Sequence, residues 1–422
     1  MAARRFQASG SGMDFLSNLP EPVKVKILAL VPLKEAVRTS VLSKRWRQTW
    51  FGIPSLIIHE EELGVRTLTE LIELVDHLLF SHTDSIDKFE LVVAQRHYRF
   101  SIEEDLDIWI NTLLRKHVHE LVLNLGYAPL DIPSRIFSLP DLEALHLRGC
   151  KINNMPKNFD GFKWVHTLKF ENIGHEGMEI ERLVSGCPLL THFLLVTDQM
   201  FDDLTIRSPN LLELKIIAEF KELHLETPKL VTLFASLTEG FLRVVQSKYK
   251  NNISRLMCCL PEIQKLDIYW NFVRYLASGG VPVQLPVNIS YLTELVIEID
   301  CAFSKHIDVV LCLLRSAPKL RNLYIELNNE ENNGPPYTSY WEEAGAIECQ
   351  LNQLQTVKIG GELLDLHCIV AFVKFVLRSA PILEEVGMKN IAELEGVHVG
   401  TKFFMDLLEL PRLSNKAIIK MI

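Results

Sequence analysis

Three groups of side chains in this sequence could carry chemistry, and the first consists of adjacent acids. Glutamate pairs occur at Glu103-Glu104, Glu330-Glu331 and Glu384-Glu385, and paired carboxylates can divide the roles of general acid and general base. Neighbouring residues on a helix do not face one another, however. We therefore expect these pairs to be solvated surface.

The second group is a short histidine cluster, His117-x-His119-Glu120. Imidazole and carboxylate are zinc ligands, but a zinc site needs about four of them. No further ligand candidate lies near these three residues in the sequence. Polar residues at the edge of a strand are the favoured interpretation, and we predict no metal and no other cofactor.

The third group is the cysteines, which contain no C-x-x-C pair. In a long chain without a secretory signal, cysteines are usually small buried apolar side chains, and a disulfide framework is not expected. Cys258-Cys259 precede a leucine-rich segment, so burial is the favoured interpretation for them as well. The eight positions are Cys150, Cys187, Cys258, Cys259, Cys301, Cys312, Cys349 and Cys368.

The sequence also lacks the recognisable patterns of catalysis. It contains no G-x-S-x-G, no phosphate-binding loop, no G-x-G-x-x-G and no H-E-x-x-H. Each of these patterns places a nucleophile, a phosphate group or a metal on a defined turn or helix. Without them, we predict that the protein is not an enzyme.

Positive charge is concentrated at the start of the chain. Residues 1–54 contain nine Lys/Arg and three Asp/Glu, a net charge of +6, whereas the other 368 residues contain 35 and 50, a net charge of −15. A basic head on an acidic body indicates two parts with different partners.

The run Lys44-Arg45-Trp46-Arg47 mixes basic and aromatic residues as nucleic-acid binders do. We favour a docking helix there and predict no nucleic-acid partner.

The composition is that of a globular protein. Of its 422 residues, 48% are hydrophobic and 23% charged, which suffices for a sizeable core and excludes a mainly disordered chain. No stretch of about 20 apolar residues indicates a membrane span, and the basic start lacks the apolar segment of a secretory signal. We predict an intracellular protein of the nucleus or cytoplasm, with no membrane partner and about two or three domains.

Apolar residues recur at helical spacing between residues 14 and 50, after a polar leader at residues 1–13. Val23 and Ile27, for example, are four residues apart, which places them on one side of a helix. Three short helices in about 40 residues cannot bury all of their apolar positions against one another. This head should therefore expose apolar surface that a partner covers.

Beyond residue 54 the sequence repeats itself. The template is Φ-x-x-Φ-x-Φ, where Φ is apolar, and successive copies begin 19 to 34 residues apart. Self-similarity at such a period predicts a solenoid, in which each repeat packs on the next. The twelve copies begin at Ile86, Val118, Leu142, Val165, Leu190, Leu211, Leu230, Ile263, Leu292, Leu320, Leu354 and Leu383.

Proline punctuates the repeats, because it stands two residues before the first apolar position in seven copies and cannot continue a preceding helix. The pattern R-S-A-P-x-L marks this boundary twice, at 315–320 and 378–383. The copy at 142–152 fits the full leucine-rich pattern, with Cys150 at its Asn/Cys position, but most copies lack that residue. We predict an irregular α/β solenoid, with parallel strands on its concave face and helices on its convex face.

Within each strand, the second and third apolar positions should point into the core, and the residue between them should face the concave surface. These outward residues are candidates for binding a partner protein, and they are His146, Lys169, Lys215, Asp267, Tyr324 and Lys358.

The polar stretch at 327–341 is predicted to be an exposed loop. It separates a solenoid at 55–326 from the last repeats at 342–422.

Residues 14–54 resemble an F-box, most closely those of plant F-box proteins that contain leucine-rich repeats. The shared features are Leu19-Pro20, the apolar pair Ile27-Leu28 and the run AVRTSVLSKRWR at 36–47. Phe15-Leu16 departs from the family, which often has a charged residue followed by isoleucine there. The resemblance implies an N-terminal domain of three helices.

Residues 340–389 resemble the FBD region that often closes such plant proteins. The shared features are Tyr340-Trp341, Cys349-x-Leu351, LQTVKIGG at 354–361 and FVKFVLRSAPILEE at 372–385. With the solenoid between the two regions, the resemblance covers nearly the whole chain.

The resemblance implies a role in recognition rather than a reaction. F-box proteins are the substrate-recognition subunits of Skp–cullin–F-box ubiquitin ligases: the F-box binds a Skp-type adaptor, and through it the cullin–RING subunits, while the repeats bind the protein to be ubiquitinated. The alternative is a leucine-rich scaffold or inhibitor that delivers no substrate for degradation. By position, the adaptor contacts would be Leu19, Pro20, Val23, Ile27, Leu28, Val37, Val41, Leu42 and Trp46.

Overall fold

The chain divides into two compact units, Met1–Phe159 (unit 1) and Asp160–Ile422 (unit 2). No helix in the described part of the chain is long and apolar enough to cross a membrane. The domain boundaries expected from the sequence stay predictions. A computed structural model describes residues 16, 18–41, 44–94, 102–126, 129–174, 178–238, 252–301, 303–328, 341, 350–361, 366–388 and 397–421.

Unit 1 joins a helical head to a small parallel sheet. Its helices are α1 (Glu21–Leu28), α2 (Leu33–Arg38), α3 (Glu60–Leu63), α4 (Leu68–Ser81) and α5 (Glu103–Arg115). Its strands are β1 (Ser55–His59), β2 (Lys88–Val92), β3 (Glu120–Asn124), β4 (Leu130–Asp131), β5 (Ala144–Arg148) and β6 (Cys150–Lys151). Strands β1, β2, β3 and β5 lie side by side in that order and are all parallel, and β4 pairs with β6.

Unit 2 is a longer sheet of parallel strands that follow one another in chain order. Its strands are β7 (Thr167–Glu171), β8 (His192–Arg207), β9 (Glu213–Glu226), β10 (Thr232–Ser236), β11 (Lys265–Ile268), β12 (Glu294–Asp300), β13 (Asn322–Asn328), β14 (Thr356–Gly360), β15 (Glu385–Met388) and β16 (Ile418–Met421). Its helices are α6 (Met178–Ser185), α7 (Asn252–Cys258), α8 (Trp270–Ala277), α9 (Ser304–Ser316), α10 (Leu366–Ser379) and α11 (Val397–Leu408).

This arrangement confirms the predicted fold class. Each of the twelve templates forms a strand, and its three apolar residues are buried. The second apolar residues of neighbouring templates pair across the strands, as Leu266, Leu295 and Leu323 do in β11, β12 and β13. Because successive strand residues point to opposite faces, the residues between the apolar ones face away from the core.

Two further copies of the template escaped the sequence analysis. One is Ile53/Leu56/Ile58, which leads into β1, and the other is the degenerate copy Ser414/Ala417/Ile419, which leads into β16. Ser414 is polar yet buried, and its hydroxyl donates a hydrogen bond to the Leu383 carbonyl at 2.7 Å. That bond removes the cost of burying the hydroxyl group.

The two shortest repeats, which begin at Leu190 and Leu211, have no connecting helix. Glu213 lies only six residues after Arg207, yet it pairs in parallel with His192 at the start of β8. The second half of β8 must therefore run back along the repeat, after an irregularity between Val196 and Met200. An extended chain advances about 3.3 Å per residue, whereas a helix advances 1.5 Å. An extended segment therefore needs fewer residues than a helix to connect one strand to the next, which suits these short repeats.

The head of unit 1 differs from the prediction in its third helix. After α2, the described residues form two 3₁₀ segments, Thr39–Val41 and Thr49–Gly52, with turns between them. Tryptophan, threonine and phenylalanine have lower helix propensity than leucine or alanine, and glycine is lower still. The sequence QTWFG at 48–52 is therefore a weak helix former.

Most described cysteines are buried, but the burial predicted for Cys258 and Cys259 is wrong, because both are exposed. Helix α7 turns Ile253, Leu256 and Met257 into the core. Cys258 is the last residue of that helix and Cys259 follows it, so neither lies on its buried face. The buried cysteines are Cys150, Cys187, Cys301, Cys312 and Cys368, and Cys349 lies outside the described residues.

His306 is a fully buried histidine in the first turn of α9. Its ring Nδ1 accepts a hydrogen bond from the Asp300 N–H at 3.2 Å, and the Phe303 ring lies 5.2 Å away between centroids. Burial, with a smaller contribution from the charge of Arg274, lowers the pKa of His306 to about 4. The folded chain therefore holds this ring neutral at pH values where an exposed histidine is protonated.

Unit 2 should lose stability as the pH falls from about 6.5 towards 4. In that window the unfolded chain binds a proton on His306 that the folded chain does not bind, so stability that is complete above pH 6.5 is lost on acidification. A pKa difference of this size corresponds to roughly 3 kcal/mol. Thermal unfolding at several pH values should show a shallower acid decline for His306→Gln than for the wild type. Parallel declines would contradict this account.

Candidate docking surfaces

The head of unit 1 exposes a stripe of apolar side chains. Val23 and Ile27 lie four residues apart on α1 with 40% and 38% of their surface exposed, and Leu30 and Val31 continue the row in the following turn, with 86% and 42% exposed. Contiguous exposed apolar surface on a globular protein marks an interaction site more often than scattered single residues do. We call Val23, Ile27, Leu30 and Val31 the α1 stripe.

A buried lysine fixes the inner side of α1. Lys24 is only 4% exposed, and its ammonium group donates a hydrogen bond to the Arg45 carbonyl at 3.1 Å and forms an ion pair with Glu21. The same ammonium lies 5.7 Å from the centre of the Trp46 ring. Hydrogen bonds from Lys24 and Thr49 lower the pKa of Glu21, which keeps its carboxylate charged. These contacts hold α1 against the segment after residue 44 and so determine where the α1 stripe faces.

The nine predicted adaptor contacts occupy three kinds of position. Pro20, Val23, Ile27 and Val41 are exposed, and Leu19 and Val37 are partly exposed. Leu28 and Trp46 are buried, at 2% and 7% exposure, and Leu42 lies outside the described residues. The sequence analysis did not name Leu30 or Val31 as contacts, although their spacing from Val23, seven and eight residues, is the signal that places them on the same side of a helix.

Two other groups of side chains that the sequence raised have partners of their own in the described structure. The Trp46 ring is covered by the head itself, so it cannot stack on a nucleotide base. His117 contacts Asp141, with Nδ1 2.7 Å from a carboxylate oxygen, and no group of three or more potential metal ligands occurs within the described ranges. Of the acid pairs, Glu385 forms an ion pair with Lys420 at 2.7 Å, and Glu330-Glu331 lie outside the described residues.

The second surface is the face of the unit 2 sheet opposite helices α8 and α9, which we call the open face. Helices α8 and α9 pack against the other face, over β10 and β12. The outward residues of neighbouring strands stand opposite one another, and the central row runs Lys215, Phe234, Asp267, Val296, Tyr324 and Lys358. Five of the six predicted binding residues therefore share one row, because Lys169 on β7 pairs with Leu194 on β8, which pairs with Lys215. The sixth, His146, lies on β5 of unit 1.

Lysine and aromatic side chains pair along this row. The ammonium of Lys215 lies 4.4 Å from the centre of the Phe234 ring, and that of Lys358 lies 5.1 Å from the centre of the Tyr324 ring. A cation over an aromatic face is attracted by the negative potential of the ring. The open face thus holds its cations on aromatic rings, at two places where neighbouring strands bring the partners together.

Asp267 is a partly buried acidic residue of the open face. One of its carboxylate oxygens, Oδ1, is buried and has no hydrogen-bond partner in the described part of the chain. Burial raises the pKa of Asp267, although the charges of Lys265 and Lys215 oppose that shift. The pKa of Tyr269 is raised too, by burial and by the negative charges of Asp267, Glu326 and Glu298. The negative potential around Tyr269 therefore comes from three neighbouring strands.

Comparison with known proteins connects both surfaces to one kind of protein. The family model described as "F-box domain" matches residues 16–56, which hold the head with its α1 stripe. The family model described as "FBD-associated F-box protein At5g56370, LRR repeats" matches residues 106–325, just over half of the chain. Its match includes β3 to β12 and so most of the open face.

Similar proteins from Arabidopsis thaliana extend over nearly the same length. "F-box/FBD/LRR-repeat protein At1g13570" is 31% identical, with 97% of this chain and 98% of that protein aligned. "Probable FBD-associated F-box protein At1g32375" is 24% identical, with 96% and 98% aligned. Among solved structures, the leucine-rich repeat-containing protein LegL7 from Legionella pneumophila aligns over 84% of this chain and 90% of its own, at 11% identity and a TM-score of 0.28.

Proposed function

Because the chain belongs to the family of F-box/FBD/LRR-repeat proteins, we propose that it is a substrate-recognition subunit of a Skp–cullin–F-box ubiquitin ligase. The observation that carries this proposal is the α1 stripe, a row of apolar side chains that the F-box head exposes. Interfaces between stable partners have apolar centres with polar rims, and basic residues such as Lys26 and Arg38 are exposed on the same head. The occupant of the stripe is then the Skp-type adaptor.

The two surfaces divide the work of such a subunit. The head binds the Skp-type adaptor, which connects the chain to the cullin–RING subunits, and the open face binds a protein substrate. The chain contributes proximity rather than chemistry, because a substrate held near the transfer site reacts as if its concentration were greatly raised. It uses no cofactor of its own, binds neither nucleic acid nor membrane, and acts in the nucleus or cytoplasm.

Within the head, exposure suggests a division between contact and support. Val23, Ile27 and Val41 would touch the adaptor, while Leu28 and Trp46 would hold the touching residues in place. Truncation of a supporting residue should lower the stability of the head together with adaptor affinity, whereas truncation of a contact residue should lower affinity alone. Melting temperature and affinity measured side by side distinguish the two groups.

The testing experiment is binding of the purified full chain to a Skp-type adaptor, beside the triple variant Leu19→Ala/Pro20→Ala/Ile27→Ala. Tight binding by the wild type and a loss of several kcal/mol in the variant are expected, since interface hot spots contribute about 2 kcal/mol or more each. A folded wild type that binds no adaptor would overturn the proposal. If a bound partner keeps the same half-life when the F-box is disabled, the protein is instead a scaffold or inhibitor.

A further inference from the structure

We propose that the adaptor surface that covers the α1 stripe has an acidic rim, and that free basic side chains of the head steer the adaptor onto the stripe. The inference rests on the proposed function, which names the adaptor, and adds the chemistry by which the head attracts it. The basic side chains are Lys26, Lys44 and Arg47. The last two belong to the basic run at 44–47, in which the proposed function gives a role to Trp46 alone.

The head has far more positive than negative charge. Residues 1–54 contain nine Lys/Arg and three Asp/Glu. Glu21 and Glu35 each form an ion pair inside the head, with N–O distances of 2.5 and 2.6 Å, and the third acid, Asp14, lies outside the described residues. The two pairs use two of the nine cations, so at most one carboxylate of the head remains for the other seven.

Three of these cations are exposed and unpaired. The side chains of Lys26, Lys44 and Arg47 form no ion pair or hydrogen bond with any residue in the described part of the chain. An ammonium or guanidinium group without a carboxylate of its own keeps its full attraction for the acids of a partner. We call these three side chains the free cations.

The free cation on α1 stands next to the α1 stripe. Lys26 lies three residues after Val23 and directly before Ile27. Residues three or four apart on a helix are neighbours on its surface, with Cβ atoms about 5–6 Å apart. A partner that covers Val23 and Ile27 therefore meets the Lys26 ammonium at the edge of the same contact.

The other two free cations lie on the segment that packs against the inner side of α1. Lys24 donates a hydrogen bond to the Arg45 carbonyl at 3.1 Å, and its ammonium lies 5.7 Å from the centre of the Trp46 ring. Lys44 and Arg47 directly precede and follow these two residues, at about 3.8 Å between successive Cα atoms. Free cations therefore come from two parts of the chain that are joined at α1.

A surface that covers the α1 stripe must also accommodate the free cations. Interfaces have an apolar core and a polar rim. A rim cation pressed against a neutral surface loses hydration without compensation, whereas a carboxylate in the same place would form charge-assisted hydrogen bonds with it. The partner surface that fits this head is therefore apolar at its centre and acidic at its rim.

Positive charge alone would also attract nucleic acid, but two observations favour a protein. The Trp46 ring is 7% exposed, so it is not available to stack on a base, which is how aromatic residues of such basic segments contribute to binding. Lys26 stands beside exposed apolar side chains, and a phosphate backbone offers nothing apolar to cover them. A protein surface supplies both the apolar and the acidic groups.

The test is the rate at which the purified full chain associates with a Skp-type adaptor, followed by stopped-flow fluorescence over a range of salt. Salt screens the attraction between opposite charges, so we expect the association rate constant to fall by about tenfold or more between roughly 0.02 and 0.5 M salt. The dissociation rate constant should change much less, because rim charges act mainly on encounter. An association rate constant that is independent of salt, or that rises with it, would overturn the inference.

Charge reversal at the free cations locates the effect. Lys26→Glu/Lys44→Glu/Arg47→Glu should lower the association rate constant at low salt by about tenfold or more and remove most of its salt dependence. The neutral variant Lys26→Gln/Lys44→Gln/Arg47→Gln should lower it by about threefold or more. All three positions are exposed, so the fold should tolerate both variants. If either triple variant is misfolded, Lys26→Glu alone should still slow association by about threefold.

The matched control reverses three basic residues of unit 1 that lie outside the head. Arg66, Arg115 and Lys157 are exposed, and Arg66→Glu/Arg115→Glu/Lys157→Glu changes the net charge of the chain by the same amount. It should lower the association rate constant by less than about twofold, because salt screens charges beyond about 10 Å. Equal slowing by the control and by the charge reversal in the head would show that net charge, and not the free cations, sets the rate.

A DNA duplex of about 20 base pairs is the probe for nucleic acid, and it should bind more weakly than about 100 µM at about 0.15 M salt. A duplex that binds more tightly, displaces the adaptor and loses affinity in the glutamine variant would assign the free cations to nucleic acid and overturn the inference.

Melting temperatures identify a misfolded variant before its rates are compared, and the two proposals fail in different ways. Adaptor binding with an association rate constant that neither salt nor these substitutions change would reject the steering and leave the ligase role standing. A folded wild type that binds no adaptor would reject the ligase role, and the steering with it.

Discussion

A chain with Ile27→Asp should lose its affinity for a Skp-type adaptor by about a hundredfold or more while keeping its fold. Ile27 lies in the middle of the α1 stripe, and 38% of its surface is exposed in the protein alone. In a complex that covers the stripe, the new carboxylate would be taken out of water with no partner. Burying an unpaired charge costs several kcal/mol. In the isolated chain the same carboxylate remains hydrated, so the fold should tolerate it.

A matched substitution shows whether the effect belongs to the stripe. Phe80 on α4 is 60% exposed, so Phe80→Asp introduces the same charge at another exposed apolar position of unit 1 and should leave adaptor affinity unchanged. Binding measured by calorimetry, with melting temperatures for both variants, completes the comparison. Equal losses for the two variants would point to a general charge effect, and no loss for Ile27→Asp would remove the stripe from the interface.

The positions of the strands could be predicted residue by residue from one template. All thirty-six apolar residues of the twelve copies are buried. The reason is that in every strand of a solenoid the alternate residues pack against the repeats on either side. The degenerate copy at Ser414 was missed because a serine can replace an apolar residue when a carbonyl, here that of Leu383, accepts its hydrogen bond.

The roles of individual charges were harder to predict than the strands. A lysine between valines, such as Lys24, normally indicates a solvated position. Lys24 is buried because its ammonium group contacts the Arg45 carbonyl and the Trp46 ring, which lie more than twenty residues away in the sequence. These contacts depend on how α1 packs, which no local sequence pattern indicates.

The open face lies between these two cases. Alignment of the templates already makes Glu298 and Glu326 neighbours, because each follows the third apolar position of its copy. The contact of the Lys358 ammonium with the Tyr324 ring, and the buried oxygen of Asp267 that has no hydrogen-bond partner among the described residues, appear only when side chains are placed. The sequence analysis therefore named Asp267, Tyr324 and Lys358 as outward residues without indicating these contacts.

Gly161→Ala should lower the melting temperature of unit 2 by about 10 °C or more, since a loss of several kcal/mol moves the midpoint of a unit this size by that amount. Two chain segments touch at this glycine. A Cβ atom on Gly161 would lie 1.6 Å from the carbonyl oxygen of Gly186, and the backbone φ of +105° is one that side chains rarely adopt. Gly186 directly follows α6, so relief of the clash would have to displace the end of that helix.

Two further glycines separate the contributions of crowding and backbone strain. At Gly186, which has no left-handed φ, an added Cβ would lie 2.7 Å from the Gly161 Cα, so Gly186→Ala tests crowding alone. At Gly64, with φ of +74°, the nearest atom is Lys34 Nζ at 4.0 Å, so Gly64→Ala tests strain alone and should cost only about 1–2 kcal/mol. Hydrogen exchange should place the losses of Gly161→Ala and Gly186→Ala in unit 2 and that of Gly64→Ala in unit 1. If Gly161→Ala melts within about 3 °C of the wild type, which corresponds to roughly 1 kcal/mol, the two segments do not touch as described.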